Sequence, residues 1–335
     1  MKNRRYSPLA FLRHTAGLAL LAGALTGCRT LPPPSAAVPA APERAFFDGR
    51  TGARLDWTAV GSTLAEADVI LVGEQHDNVA GHRLEAELAD ALLRQTPDAA
   101  IALEMFERDE QSFVDAYLDG RIAAATLVTL TESENWGGGK NTWMDWYQPI
   151  VDHVKARRAT GAALIAANAP RAYVKLARLE SLAALEQLPA SDRALFQVPD
   201  LAVDDRAYRD RFLATMQQHS APAQAGQPAP KKKSTAPAGT PPAPKIDPAA
   251  FLRAQQVWDA TMAGSVLLAR ARHPKVMLFV GEFHVGFSGG TLARVRHGAP
   301  GARIATISIL SSATPATFAA GDRDRADLVV YTRAP

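Results

Sequence analysis

Three observations predict an α/β fold with a central, mostly parallel sheet flanked by helices. Short apolar runs alternate with helical periods along the chain, as βαβ units require. Those runs are almost continuously apolar, as expected of strands covered on both faces. Several end on a glycine, glutamate or asparagine, where open α/β sheets bind their ligands.

The elements follow in order. The ordered chain begins near Phe46. Residues 68–72 (DVILV) form a first strand ending at Gly73. Residues 82–95 place Leu84, Leu88, Ala91 and Leu92 on one helical face. Residues 99–103 (AAIAL) form a second strand ending at Glu104, and 109–118 return to helix. A helix over 148–159 leads to a third strand, 162–167, that ends at Asn168. One helix is expected over 171–187, stopped by Pro189, and two more over 205–219 and 249–272. Residues 275–280 (KVMLFV) form a fourth strand ending at Gly281, 303–309 a fifth and 327–331 a sixth.

At 335 residues and 47% hydrophobic, the chain can bury a substantial core, which excludes wholesale disorder. Cys28 is its only cysteine, so an intrachain disulfide framework and a Cys-rich zinc site are both excluded. The formal charge of +3 is a regional effect. Without Lys2, Arg4, Arg5 and Arg13, 33 basic residues face 34 acids. No nucleic-acid footprint is therefore expected.

The N-terminus reads as an address. A basic stretch, a short apolar run over 15–26 and small residues before Cys28 have the form of an export signal over 1–27. The run is too short to span a bilayer in the usual way. Leu25-Thr26-Gly27-Cys28 is similar to the bacterial lipobox, whose cysteine is lipidated. Arg29 in the next position favours the outer membrane. A proline-rich tether over 28–45 then leads to a domain over 46–335. Residues 221–248 hold eight prolines and read as a disordered insertion, with Lys231, Lys232 and Lys233 as a solvated run.

The strongest internal signal is a repeat. DVILVGEQHD (68–77) and KVMLFVGEFHV (275–285) both run from an apolar strand into Gly-Glu-X-His. Glu74, His76, Glu282 and His284, with Glu104 and Asn168, all fall just beyond strand ends. If neighbouring strands carry them, carboxylates and imidazoles converge in one crevice. Such a set either holds a divalent metal or relays protons to a bound water. Gly73 and Gly281 would let the chain turn sharply and keep backbone close to a ligand. Asp77 and Asn78 are candidate caps for the next helix. His82 faces either the same pocket or the helix surface.

Residues 135–147 (NWGGGKNTWMDWY) gather three of the five tryptophans among three glycines. So dense a group suits a flat apolar ligand, a partner surface, or a loop pinned to the sheet by Trp143 and Trp146. Tyr147 is its polar handle. Arg171 follows Asn168-Ala169-Pro170 at a strand-to-helix junction, fit for a ligand carboxylate or a surface ion pair. Gln255, Trp258, Asp259 and Met262 share one helix face, and the Asp and Gln suggest a polar contact at the pocket wall.

Taken together, these segments resemble the ChaN family of haem-binding lipoproteins, within the TIKI and erythromycin-esterase-like superfamily. The carriers are VGEQHDN (72–78) with His82, LEMFERDEQ (103–111), WMDWYQPI (143–150), AANAPR (166–171), AQQVWDATMA (254–263) and VGEFHVGFSGG (280–290). The resemblance implies the α/β domain with a helical lid region, and a part in haem or iron uptake at the cell envelope. It also implies kinship to hydrolases that use their GExH residues, some with a divalent metal. The 221–248 insertion departs from the pattern, and Glu85 stands where a glutamine is more usual.

Two readings result. In the first, an outer-membrane lipoprotein anchored at Cys28 captures haem in the periplasm or at the cell surface, between the two copies of a homodimer. Tyr147, Trp143, Trp146, Arg171 and His82 would form the haem site, with His76 or His284 as alternative ligands. In the second, Glu74, His76, Glu282 and His284 form a hydrolase centre, and His76, Glu104 and His284 hold any metal.

Overall fold

The computed structural model describes residues 43–136, 142–203, 206–220 and 247–334. The export signal, Cys28 and most of the tether lie outside the described residues, as do Gly137–Asn141 and the insertion up to residue 246. Asp247 and Pro248 are described and belong to a helix. Asp247 caps it, accepting from the Ala249 N–H at 3.0 Å, and Pro248 starts it. Proline suits the first helical position because its missing donor would be unpaired there anyway.

Eight strands form one sheet: β1 (Arg44–Asp48), β2 (Arg54–Leu55), β3 (Val69–Glu74), β4 (Ala100–Glu107), β5 (Ala163–Asn168), β6 (Val276–Gly281), β7 (Ile304–Ser312) and β8 (Leu328–Arg333). Their order is β2-β1-β8-β7-β3-β6-β4-β5. Only β1 runs antiparallel, to both β2 and β8; every other pair is parallel. The expected α/β class is therefore observed. The antiparallel β1–β2 edge is an addition that the pattern of apolar runs did not disclose.

Alternation along the strands sorts the core into two layers. Ile70, Val72, Ile101, Leu103, Met277 and Phe279 pack with Leu84, Leu88 and Leu92 of the helix Val79–Gln95. Val69, Leu71, Ala100, Ala102, Leu278 and Val280 face the other way, onto Met262, Ala263 and Val266. Each fully buried aliphatic side chain contributes about 1.5–3 kcal/mol. Both faces are covered, so the strands can be apolar throughout.

Helix ends follow local chemistry. Asn78 caps the helix Val79–Gln95, accepting from the Gly81 N–H at 3.0 Å. The single helix expected over 171–187 is two, Arg171–Leu179 and Leu182–Glu186. Ser181 is extended (φ −164°) and its hydroxyl accepts from the Ala184 N–H at 3.2 Å, so it begins a new helix where periodicity alone reads through. Strand β4 runs past Glu104 to Glu107 through a register shift after Leu103. Among the described residues no helix is long and apolar enough to cross a membrane.

Candidate functional site

The sheet order makes the two elbows neighbours. Strand β6 lies between β3 and β4, and Glu74 pairs in register with Gly281. Backbone proximity, not a turn, explains the glycines. Gly73 sits within β3, where a Cβ would come within 3.0 Å of the Glu282 Cα. Gly281 has an ordinary φ of −50°; a Cβ there would come within 3.0 Å of His76 Nε2 and 3.5 Å of Glu104 Oε2. The expected sharp turns are thus replaced by close approach.

Glu74 is buried. Its Oε1 accepts from the Tyr147 hydroxyl and from His76 Nδ1, each at 2.7 Å. His76 is the accessible member, its side chain 41% exposed. Burial works against a charged His76 ring, but the bond to Glu74 and the charges of Glu104, Glu74 and Glu85 carry it up to about 9. Since Nδ1 is engaged by Glu74, Nε2 is the nitrogen left for a ligand.

His284 is buried beside it. Its Nδ1 lies 2.7 Å from Asp259 Oδ1, and its Nε2 3.6 Å from Glu104 Oε1. Burial opposes charge on both partners of the His284–Asp259 pair, yet their mutual attraction wins, raising the imidazole and lowering the carboxyl. Asp259 also accepts from Thr291 Oγ1 at 2.7 Å and from the Tyr208 hydroxyl. Gln255 Nε2 approaches the His284 ring at 3.2 Å. Both polar residues of the 254–263 face therefore reach His284. Glu104 Oε2 accepts from the Gly281 N–H at 2.6 Å. Asn168 supports Glu104 from below, donating to its carbonyl at 3.0 Å.

His76, His284, Gln255, Gly281, Phe212 and Phe283 line a crevice of ≈ 290 Å³ that opens beyond the ends of β3 and β6. Phe212 comes from the helix Arg206–Ser220, whose Arg211 donates to the Gly286 carbonyl at 2.8 Å.

Glu282 borders this crevice, but its carboxylate is committed elsewhere. Arg325 pairs with Oε1 at 2.7 Å, and Ser308 Oγ donates to the same oxygen at 3.3 Å. The second elbow thus contributes its histidine, while Glu282, expected in the hydrolase centre, is held as a strut. The aromatic stretch also differs from an exposed platform. Trp143 and Tyr147 are fully buried, and Trp146 stacks on His82 with centroids 4.5 Å apart. Trp143 donates to Gln148 Oε1 at 2.9 Å. Burial, then the charges of Glu74 and Glu85, push the Tyr147 phenol far above its ordinary range. Trp136 is the tryptophan at the mouth, with its ring 5.9 Å from His76. Arg171 lies over Trp136 at 5.5 Å and pairs with Glu107 at 3.3 Å.

His82 faces inward. Its Nε2 lies 3.1 Å from the His76 carbonyl, and its Nδ1 lies 3.0 Å from Glu85 Oε2 and 3.9 Å from Glu74 Oε2. Burial keeps this ring neutral by lowering its proton affinity. Among the described residues, Glu74, His82 and Glu85 are the group of three whose ligand atoms lie within 4.8 Å of one another. The expected trio of His76, Glu104 and His284 does not close up in this way.

In structure the chain is similar to the protein of "Cofacial heme binding to ChaN of Campylobacter jejuni", at 17% identity and a TM-score of 0.57, covering 87% of this chain and 97% of that one. It is more distantly similar to the type III effector HopBA1, at 12% identity and a TM-score of 0.41, covering 83% and 93%. An erythromycin esterase, EreC, in its open conformation gives 14% and 0.38, covering 79% and 77%. A comparison with curated protein sequences gives no significant match. Residues 60–295 match the family described as "Haem-binding uptake, Tiki superfamily, ChaN", and the chain belongs to that family.

Proposed function

We propose that this protein captures haem at the bacterial cell envelope as an exported lipoprotein, tethered through Cys28 to the outer membrane. The observation that carries the reading is His76. It stands half-exposed at the mouth of the crevice, its Nδ1 fixed by Glu74, and its Nε2 can meet iron once iron displaces the proton that the neighbouring carboxylates hold there up to about 9. Trp136 offers an aromatic edge beside it, and Arg171 a cation for a propionate. Phe212 and Phe283 supply apolar wall. At ≈ 290 Å³ the crevice lies at the lower end of the about 300–1,000 Å³ of ligand pockets, too small to enclose a porphyrin. A porphyrin therefore lies across the mouth with one face outward, which a second copy of the chain would cover. Tyr147 serves this site by orienting Glu74 rather than by meeting iron.

The test is a titration of the purified protein with ferric haem, followed by absorbance and by size. A saturable spectral change with a shift from monomer to dimer is expected. No saturable change would remove haem as the ligand.

A specific observation favours a second reading. His76 and His284, held by Glu74 and Asp259, line the same crevice, and Glu104 lies 3.6 Å from His284. This arrangement suits hydrolysis, with a neighbouring carboxylate taking a proton from water and the protonated histidines, whose proton affinity their neighbours raise, stabilising the oxyanion. Ester hydrolysis that His284→Ala abolishes would support it; the same rate in that variant would dismiss it.

A further inference from the structure

Beneath the crevice lies a polar cluster of which the haem reading uses only Glu74, and there only its Oε1. His82 Nε2 reaches the His76 carbonyl at 3.1 Å, and a carbonyl can only accept, so Nε2 carries the proton. In the neutral ring Nδ1 is then a lone pair. It points at two carboxylates, Glu85 Oε2 at 3.0 Å and Glu74 Oε2 at 3.9 Å. Acceptor faces acceptor wherever both carboxylates are ionised, and burial pushes both up to about 7, so a retained proton is the only donor the cluster itself supplies.

The buried oxygens sharpen the point. Glu74 and Glu85 are 2% and 0% exposed, and Glu74 Oε2 and Glu85 Oε1 have no hydrogen-bond partner. An orphaned buried carboxylate oxygen costs a few kcal/mol. One shared proton satisfies one contact and leaves other oxygens bare. A divalent cation answers all three groups at once and neutralises both carboxylates.

We propose that Glu74, His82 and Glu85 bind one divalent metal ion of Zn²⁺ size and chemistry. Bonds of about 2.0–2.2 Å place tetrahedral donors roughly 3.3–3.6 Å apart. The present separations of 3.0 and 3.9 Å bracket that span, and all three ligand atoms lie within 4.8 Å of one another. The surroundings hold the ligands in place. Tyr147 and His76 both engage Oε1 of Glu74, which leaves Oε2 facing His82. The His76 carbonyl fixes the His82 tautomer, and Trp146 stacks on its ring. Position 85 decides the matter. A glutamine there would donate its amide to Nδ1 and complete the cluster without any ion.

The experiment uses the full chain, stripped with chelator and kept free of haem. It is titrated with Co²⁺ as a spectroscopic probe, then with Zn²⁺ in competition. One equivalent of Co²⁺ should bind with visible d–d absorption, yield to Zn²⁺, and raise the melting temperature. Glu85→Gln preserves shape and should fold at least as well, while binding Co²⁺ about tenfold or more weaker. Absence of a saturable one-equivalent site in the wild type would overturn the proposal. So would equal Co²⁺ affinity in a folded Glu85→Gln protein, because the ion would then sit elsewhere. The haem titration is a separate measurement, so failure of either reading leaves the other standing.

Discussion

His76 and Tyr147 bond the same oxygen of Glu74, yet they present opposite chemistry. The imidazole is half-exposed with one nitrogen free, while the phenol is sealed in the core. Substitution separates them. His76→Ala should abolish the spectral change with ferric haem. Tyr147→Phe should keep that change and instead lower unfolding stability by about 1.5–3 kcal/mol, the worth of a hydrogen bond to a charged group. Absorbance titration and denaturant melts read the two effects. An altered iron spectrum in a folded Tyr147→Phe protein would return the ligand role to the phenol. The Gly-Glu-X-His repeat made Glu74, His76 and His284 legible, because few other reasons place those types just past two strands. The fate of Glu282 was not legible. It depends on Arg325, which sequence separates and only the fold brings to 2.7 Å. The tryptophans left three readings open, and the burial of Trp143 and Trp146 fits the loop pinned to the sheet. Composition shows that aromatics cluster, but which side of a helix they turn to the core is decided by packing.

Elements were read most easily where burial is two-sided. Strands β3, β4, β5, β6 and β7 are near-continuous apolar runs and stand out for that reason. The edge strand β2 is two residues long and has no such signal. Ser181 splits a helix through a cap whose geometry periodicity does not carry. Entry into the central strands is held by Asp68. It accepts from the Arg303 backbone N–H at 2.9 Å and pairs with its guanidinium at 3.1 Å, tying the start of β3 to that of β7. Those bonds hold its carboxyl down at about 2. The unfolded chain takes up a proton first as the pH falls, so the stabilisation is complete above pH about 4 and is lost between about 4 and 2. Thermal melts across that range should show Asp68→Asn with a flatter pH dependence than wild type. At neutral pH the variant should cost about 1 kcal/mol, since Arg303 is largely exposed. Parallel curves would dismiss this role.

For the molecule as a whole, family membership and the α/β sheet stand on residues 60–295 and on the observed topology. The anchor is a separate prediction. Cys28→Ala should move the protein from the membrane fraction to a soluble one, as fractionation and palmitate labelling would show. Retention in the membrane by an unlabelled protein would instead mean that the N-terminal segment stays uncleaved. The position of β6 has a further consequence, for biogenesis. It is wedged between β3 and β4, which are made roughly two hundred residues earlier. As the chain emerges from the ribosome, both older strands present bare edges that nothing upstream can cover. The sheet cannot close, and the crevice cannot exist, until almost all of the chain has been synthesised. Under the proposed export this delay would be useful, because a chain that cannot finish folding stays threadable until it has crossed the membrane.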